Sequence, residues 1–488
     1  VSLQAVLLVP FVLRTVGPSI YGAWLASGDL LNWIQVLDLG LSNLLIQRVG
    51  AAHGTGDEPL AGRWFLTGAL VLGLVALVLT GVGVLLGSIV PGFFHLSGAD
   101  AELVGACFSI GCVAAGIALF NNTFVGLGRA IQETHFINGV MIASSIVGLL
   151  TALLLLWRGL GLWAVALAML IRSLVALVGG LWFLVAVVPA TMRRQFRLDR
   201  GVLRAYLKSV PATSLGGIGY ALVSQSETAI VGSMAGPQVA LAYNLTRKAA
   251  DVGKNLVDMI GFASYGGFAH LAASAPPTEA RRVYLELRFL RLAAAVAMAC
   301  AFLVVNHALV RVWVGEGAFG GVLLTWLFAV QLVATGDSYL ANYLFRASGA
   351  VERGSWILAT EAALRMFLMV AGMRLMGVQG IPLTGILISI PFLLWVDRLQ
   401  MKRFASLESQ GEIWQTLGRT YVQGTALLVA LGYASTRLIH LGWLGVMAGG
   451  SLVFVLVFMI LFWGADHAAR TGVVSLAQSL NFRRGFRG

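Results

Sequence analysis

Residues 15–40 read TVGPSIYGAWLASGDLLNWIQVLDLG, and residues 234–259 read MAGPQVALAYNLTRKAADVGKNLVDM. Gly17-Pro18 aligns with Gly236-Pro237 at an offset of 219. Two weaker matches lie near the same offset. VGLGRAIQETHF (125–136) pairs with RASGAVERGSWI (346–357), matching Gly128 to Gly349, and RGLGLWAV (158–165) pairs with GVQGIPLT (377–384), matching Gly161 to Gly380. Recurrence at one period marks a duplicated unit. The chain between the matches decides what that unit is.

Those intervals hold apolar runs near the ~20 residues that a helix needs to cross a bilayer. Of 488 residues, 58% are hydrophobic and 11% charged, where a soluble domain carries about 25% charge. The mean hydropathy is +0.87. The runs are continuous, whereas a membrane β-barrel alternates over short strands. The chain therefore reads as an all-α polytopic membrane protein. Spans are expected at 1–13, 20–46, 64–91, 103–127, 136–157, 161–188, 208–234, 238–268, 289–312, 319–345, 355–376, 380–401, 420–438 and 441–465, fourteen in all. The first is short for a crossing and reads as the remaining half of a helix, not as a signal peptide.

The repeat offset covers six spans. An even number leaves both units in one orientation, related by an axis along the membrane normal. The expected plan is two six-helix lobes in a parallel pseudo-twofold repeat plus two C-terminal helices. Residues 1–190 form the first lobe, 191–403 the second, and 404–488 the last two helices and a basic tail.

Net charge is +12, and most cations fall in short loops. Loops after even-numbered spans, with the tail, carry 23 Lys and Arg against five after odd-numbered spans. The positive-inside rule then places even loops and both termini in the cytoplasm. This assignment counts Arg281, Arg282, Arg288 and Arg291 as one loop cluster. A topological use of the cations removes the case for nucleic acid. Cys107, Cys112 and Cys300 sit in apolar runs without disulfide or metal-ligand spacing. No phosphate-binding glycine loop or clustered histidine motif is present, so no cofactor or metal is implied.

Five cations remain inside spans: Arg172, Arg247, Lys248, Lys254 and Arg365. The embedded acids are Asp29, Asp38, Glu227, Asp251, Asp258, Asp337, Glu361 and Asp397. A mid-membrane Arg, Lys or Asp costs about 2.5–3.5 kcal/mol, so five lipid-facing cations would cost on the order of 12–17 kcal/mol. That rivals the ~5–15 kcal/mol stability of a whole domain. These groups must face water, pair with acids, or lie near an interface.

The eighth span is the most informative. At about 100° per residue, Arg247, Asp251, Lys254 and Asp258 fall within one narrow stripe of alternating sign. Lys248 lies on the flank of that stripe, beside Asn244 and Asn255. Three readings stand: a self-neutralising ladder against a neighbouring helix, the wall of a wet cavity with surplus positive charge, or a cytoplasmic interfacial stretch. Glu361 and Arg365 are four apart, the spacing of a local pair, with a substrate role as the other reading. Arg172 has no acid on its own span and is a cavity candidate. Asp29 lies mid-span and is a candidate carrier of H⁺ or Na⁺, while Asp38 lies nearer a loop. Glu227 and Asp337 share the pairing and ion-coupling readings. Asn121, Asn122 and Asn342 are expected to bond between helices.

Residues 8–57, LVPFVLRTVGPSIYGAWLASGDLLNWIQVLDLGLSNLLIQRVGAAHGTGD, resemble the opening of the bacterial polysaccharide flippases, the O-antigen and exopolysaccharide translocases. Pro10, Leu13-Arg14, Gly17-Pro18, Tyr21-Gly22 and Asp38-Leu39-Gly40-Leu41 carry the resemblance. The span plan is similar to that of the larger multidrug/oligosaccharidyl-lipid/polysaccharide exporter superfamily, which includes lipid II flippases and multidrug-and-toxin extrusion antiporters. The resemblance implies a non-enzymatic flippase of the bacterial cytoplasmic membrane. Its cargo would be an undecaprenyl-diphosphate-linked oligosaccharide, moved by alternating access and coupled to H⁺ or Na⁺. Membrane lipids and other polysaccharide-assembly proteins are the implied partners. An anionic diphosphate gives cavity cations a use.

Arg247, Lys248, Lys254, Arg172 and Arg365 are then the substrate candidates. Asp29, Asp251, Asp258, Glu227, Asp337 and Glu361 are the pairing or coupling candidates. The alternatives are a cation-coupled small-molecule exporter and a membrane-embedded polysaccharide polymerase or transferase. A cationic drug would call for acids and aromatics rather than a cationic helix.

Overall fold

The computed structural model describes residues 2–36, 41–208, 226–404, 410–435 and 440–464. Asp38, with Leu39 and Gly40 of the N-terminal motif, and the basic tail lie outside the described residues. Among those described, all regular structure is helical. The chain forms two compact units, Val1–Leu241 and Ala242–Gly488.

The first unit contains α1 (Ser2–Val36), α2 (Leu41–Gly54), α3 (Glu58–Leu86), the short α4 (Val90–Phe93), α5 (Gly98–Ala130), α6 (Thr134–Trp157), α7 (Leu162–Ala186), α8 (Ala190–Arg193) and α9 (Glu227–Ala235). Helix α10 (Pro237–Ser274) starts in it and continues through the second unit. There follow α11 (Pro277–Val314), α12 (Val322–Ala347), α13 (Val351–Met376), α14 (Gly380–Arg403), α15 (Gln410–Ser435) and α16 (Trp443–Gly464). Most of these helices cover expected apolar runs; α1 takes in the expected 1–13 and most of 20–46, α2 covers the end of 20–46 and runs beyond it, and residues 209–225 of the expected 208–234 span lie outside the described residues. Eight helical stretches among the described residues are long and apolar enough to cross a membrane. One of them, Val351–Arg403, joins two expected spans across the short turn Gly377–Gln379.

Local chemistry sets the helix ends. Helix α3 starts six residues before its expected position because Asp57 caps it, accepting from Leu60 N–H at 3.0 Å, with Pro59 in the first turn. Gly17 (φ 79°, ψ 168°) divides α1, and Gly236 (φ 89°, ψ 166°) separates α9 from α10. Both glycines occupy a backbone region that side chains avoid, and a proline opens the following helix in each case. The first repeat match therefore extends to backbone geometry. The other two matches shift. Gly349 (φ 93°) lies just past the end of α12 and Gln132 (φ 64°) just past the end of α5, whereas Gly128 is inside α5. Gly161 (φ 55°, ψ −127°) is matched by Gly377 (φ 66°, ψ −153°), while Gly380 is helical.

In the first unit α5 packs against α1, α2, α3 and α7. Small residues allow these approaches. A Cβ on Gly105 would lie 2.6 Å from the Gly87 carbonyl, and one on Gly22 of α1 would lie 1.8 Å from the Pro237 carbonyl. Gly22→Val is therefore expected to destabilise the protein by about 1–3 kcal/mol through overpacking. Thermal unfolding in detergent measures this, and an unchanged midpoint would show that the two backbones separate freely.

In the second unit α11 is buried along nearly its whole length, wrapped by α12, α15 and α16. The last two helices thus pack on the central helix of this unit. Elsewhere large apolar side chains are bare: Leu77 of α3 is 70% exposed and Leu444 of α16 is 87% exposed. A water-soluble protein does not present such continuous faces. Six exposed tryptophans, Trp157, Trp163, Trp182, Trp356, Trp443 and Trp463, sit near helix ends, as in the aromatic belts of membrane proteins.

The segment after α8 is fastened by Asp199. Its carboxylate accepts from the N–H groups of Gly201 (2.8 Å) and Val202 (3.1 Å) and pairs with Arg63 at 3.3 Å. The Val202 and Gly201 amides, aided by Arg63, hold this carboxyl below the usual carboxylate range. A depressed native value contributes stability in full above the unfolded value and loses it as pH falls through the native one. The protection of residues 199–208 against hydrogen exchange, relative to the unstructured chain at the same pH, is expected to be constant across neutral and mildly acidic pH and to fall only in strong acid. Protection already lost near neutrality would remove Asp199 as the fastener.

Candidate functional site

The stripe on α10 forms as two intrahelical pairs. Arg247 Nε donates to Asp251 Oδ2 at 3.1 Å, and Lys254 Nζ donates to Asp258 Oδ2 at 2.8 Å. Each cation also lies over a tyrosine ring, Arg247 over Tyr243 and Lys254 over Tyr339, both at 5.7 Å. The ends of the stripe differ. Asp258 accepts a second bond, from Arg291 Nη2 of α11 at 2.8 Å, which ties that end to a partner helix. At the other end the Asp251 side chain is 36% exposed. Lys248, half-buried on the flank, has no carboxylate partner among the described residues. The self-neutralising ladder is real, and it leaves one cation over.

The ladder runs into a buried ionic centre that is absent from the sequence-based expectations. Arg288 of α11 is 1% exposed. It grips Asp337 of α12 with two bonds, Nε to Oδ1 at 2.8 Å and Nη2 to Oδ2 at 2.7 Å. Its Nη1 donates to Asp397 of α14 and, at 3.1 Å, to the Tyr284 hydroxyl. Tyr284 donates to Asp397 at 2.6 Å, and Tyr421 of α15 donates to Asp337. Three helices therefore meet on one guanidinium, and α15 joins the centre through Asp337. Arg291, one turn along α11, presses against Gly336, where a Cβ would meet its Nη2 at 1.6 Å. Across ladder and centre, Arg247, Lys254, Arg288 and Arg291 face Asp251, Asp258, Asp337 and Asp397. The signs balance, as burial in low dielectric requires.

Arg288 and Arg291 are thus not loop cations. Sequence proximity groups them with Arg281 and Arg282, and charge beside a loop carries no information about depth. Their spacing does hold a signal. Tyr284, Arg288 and Arg291 recur at four and three residues, and so share one helix face leading into the apolar run. Helix α11 starts at Pro277, well before the expected 289.

The other candidates are dispersed. Glu361 and Arg365 of α13 are both buried, and each finds a partner on another helix. Glu361 accepts from Ser389 of α14 at 3.3 Å, and Arg365 donates to Tyr339 of α12 at 3.4 Å. Asp29 of α1 accepts from the N–H groups of Thr228 (2.8 Å) and Ala229 (3.0 Å), capping α9 from outside that helix. Glu227, also buried, is the first residue of α9. Arg172 of α7 is half-buried against Gly148, with no ion-pair partner among the described residues. Asn121 donates to the Ser173 carbonyl of α7, and Asn342 to the Gly354 carbonyl of α13, both at 3.0 Å. These are the interhelical bonds expected of them.

No family model matches the chain, and no curated protein matches it. Solved structures do. A multidrug resistance MATE family transporter of the MOP superfamily, in an inward-facing conformation, superposes with a TM-score of 0.62 at 17% identity, covering 83% of this chain and 96% of its own. The lipid II flippase MurJ, in an inward closed conformation, superposes at 0.60 and 10% identity, covering 94% of this chain and 95% of its own. A mutant of the Vibrio cholerae MATE transporter VcmN superposes at 0.52 and 17% identity, covering 83% and 94%. The chain has the fold common to these transporters and this flippase.

Proposed function

We propose that this chain is a lipid-linked oligosaccharide flippase of the bacterial cytoplasmic membrane. Its cargo is a glycan on an undecaprenyl diphosphate carrier, moved by alternating access with both termini in the cytoplasm. The observation that carries this reading is extent: the MurJ structure covers 94% of this chain, whereas the MATE structures leave a larger part without a counterpart. The N-terminal resemblance to polysaccharide flippases points the same way.

The charge pattern supports an anionic headgroup. Lys248 and Arg172 are half-buried cations without carboxylate partners among the described residues, and Arg247 stands at the exposed end of the ladder beside Lys248. Each would engage the diphosphate by charge-assisted hydrogen bonds within its own unit, Arg172 in the first and Arg247 and Lys248 in the second. Lys254, on the same face of α10 as Arg247, would contact the headgroup as well, and Arg365 would act within its own helix cluster. Asp251 is the most accessible carboxylate of the stripe and the first choice for H⁺ or Na⁺ coupling. Asp29, Asp258, Glu227, Asp337 and Glu361 would act in pairing.

A second reading has its own support. The MATE family structure superposes with a TM-score of 0.62 and 17% identity. On that reading the chain exports small molecules by exchange with a cation. Deletion in the native host separates the two. A flippase predicts loss of surface polysaccharide and accumulation of its lipid-linked repeat unit, with drug sensitivity unchanged. Drug sensitivity with intact polysaccharide would favour the exporter.

A further inference from the structure

We propose that residues 193–208 form a docking surface for the acidic phospholipid headgroups of the adjoining leaflet. These sixteen residues carry six cations, Arg193, Arg194, Arg197, Arg200, Arg204 and Lys208, against a single acid, Asp199. All but Arg193 are exposed, and none of those five has an ion pair among the described residues. Asp199 cannot neutralise them, because its carboxylate is occupied by Gly201, Val202 and Arg63.

The segment is held in place. Residues 201–208 are helical, and Val202 and Tyr206, four apart, bury against Leu41, Leu44 and Leu72. Tyr206 also packs on Trp64 at 5.2 Å. The inner face is therefore satisfied by protein, and only the outer face seeks a partner. That outer face mixes arginines with Leu198 and Leu207, 55% and 58% exposed. Topology alone asks for cations in this loop but not for bare leucines among them. An acidic protein partner would account for the charge and not for the leucines. A lipid surface accounts for both: leucines enter the acyl boundary while guanidiniums fork onto phosphates.

The full-length protein in phosphatidylcholine nanodiscs, with and without phosphatidylglycerol, tests this by hydrogen exchange of residues 193–208. Phosphatidylglycerol is expected to slow exchange at least about tenfold, the effect of only one or two engaged basic residues, and high salt should reverse it. The variant R194Q/R197Q/R200Q/R204Q should lose the effect, and R158Q/R374Q, which removes exposed arginines elsewhere, should keep it. Exchange indifferent to phosphatidylglycerol and salt in the unmodified protein would overturn the proposal, and that arm needs no variant to fold. Slowing by undecaprenyl diphosphate but not by phosphatidylglycerol would also overturn it, assigning the surface to cargo instead.

Discussion

Arg288→Ala is expected to destabilise the protein by about 3–5 kcal/mol, the cost of breaking a buried ion pair from one side. The substitution leaves Asp337 and Asp397 without their shared guanidinium in a region that admits almost no water. Thermal unfolding in detergent should show the midpoint falling by on the order of 10 °C. The decisive control is R288M/D337L/D397L, which removes all the charges together. Apolar replacement of a whole buried ionic group is often neutral, so this variant should recover much of the loss. If Arg288→Ala melts with the unmodified protein, the centre is hydrated and does not join the four helices.

Replacing Arg247 and Lys254 together by glutamine is expected to lower transport by about a hundredfold or more while leaving the protein folded. Two charge-assisted contacts at roughly 1.5–3 kcal/mol each account for that magnitude. The geometry explains why folding should survive. Asp251 is the exposed member of its pair, and Asp258 keeps Arg291 when Lys254 is lost. Neither carboxylate is left buried and alone. Lys248→Gln should lower transport with still less effect on stability, since no carboxylate depends on it. Normal transport in the double variant would reduce the stripe to structural glue.

Much of this architecture is legible in the sequence, for physical reasons. Apolar runs of bilayer length place helices because lipid leaves the backbone no other way to satisfy its hydrogen bonds. The pairs on α10 are legible because four-residue spacing brings side chains together on any helix. The same rule tells only part of the story at Glu361 and Arg365, where Ser389 and Tyr339 on neighbouring helices offer further partners. Tertiary partners have no signature in local spacing. Arg288 is hidden for a related reason: its carboxylates come from residues 337 and 397, far along the chain. Tyr421 is hidden further, since it lies on a helix expected to stand outside the repeat. Asp29 shows the converse, a buried acid whose bonds go to the amides at the start of α9.

Leaflet-resolved translocation is the most direct test of the proposed flippase. The full-length protein is reconstituted in liposomes with a fluorescent undecaprenyl-diphosphate-linked oligosaccharide, and a membrane-impermeant reagent reports which leaflet holds it. Protein-dependent transfer between leaflets is expected, accelerated by an H⁺ or Na⁺ gradient and lost in R247Q/K254Q. Transfer no faster than in protein-free liposomes, from a preparation that exports small-molecule cations in exchange for H⁺ or Na⁺, would contradict the flippase and establish the exporter.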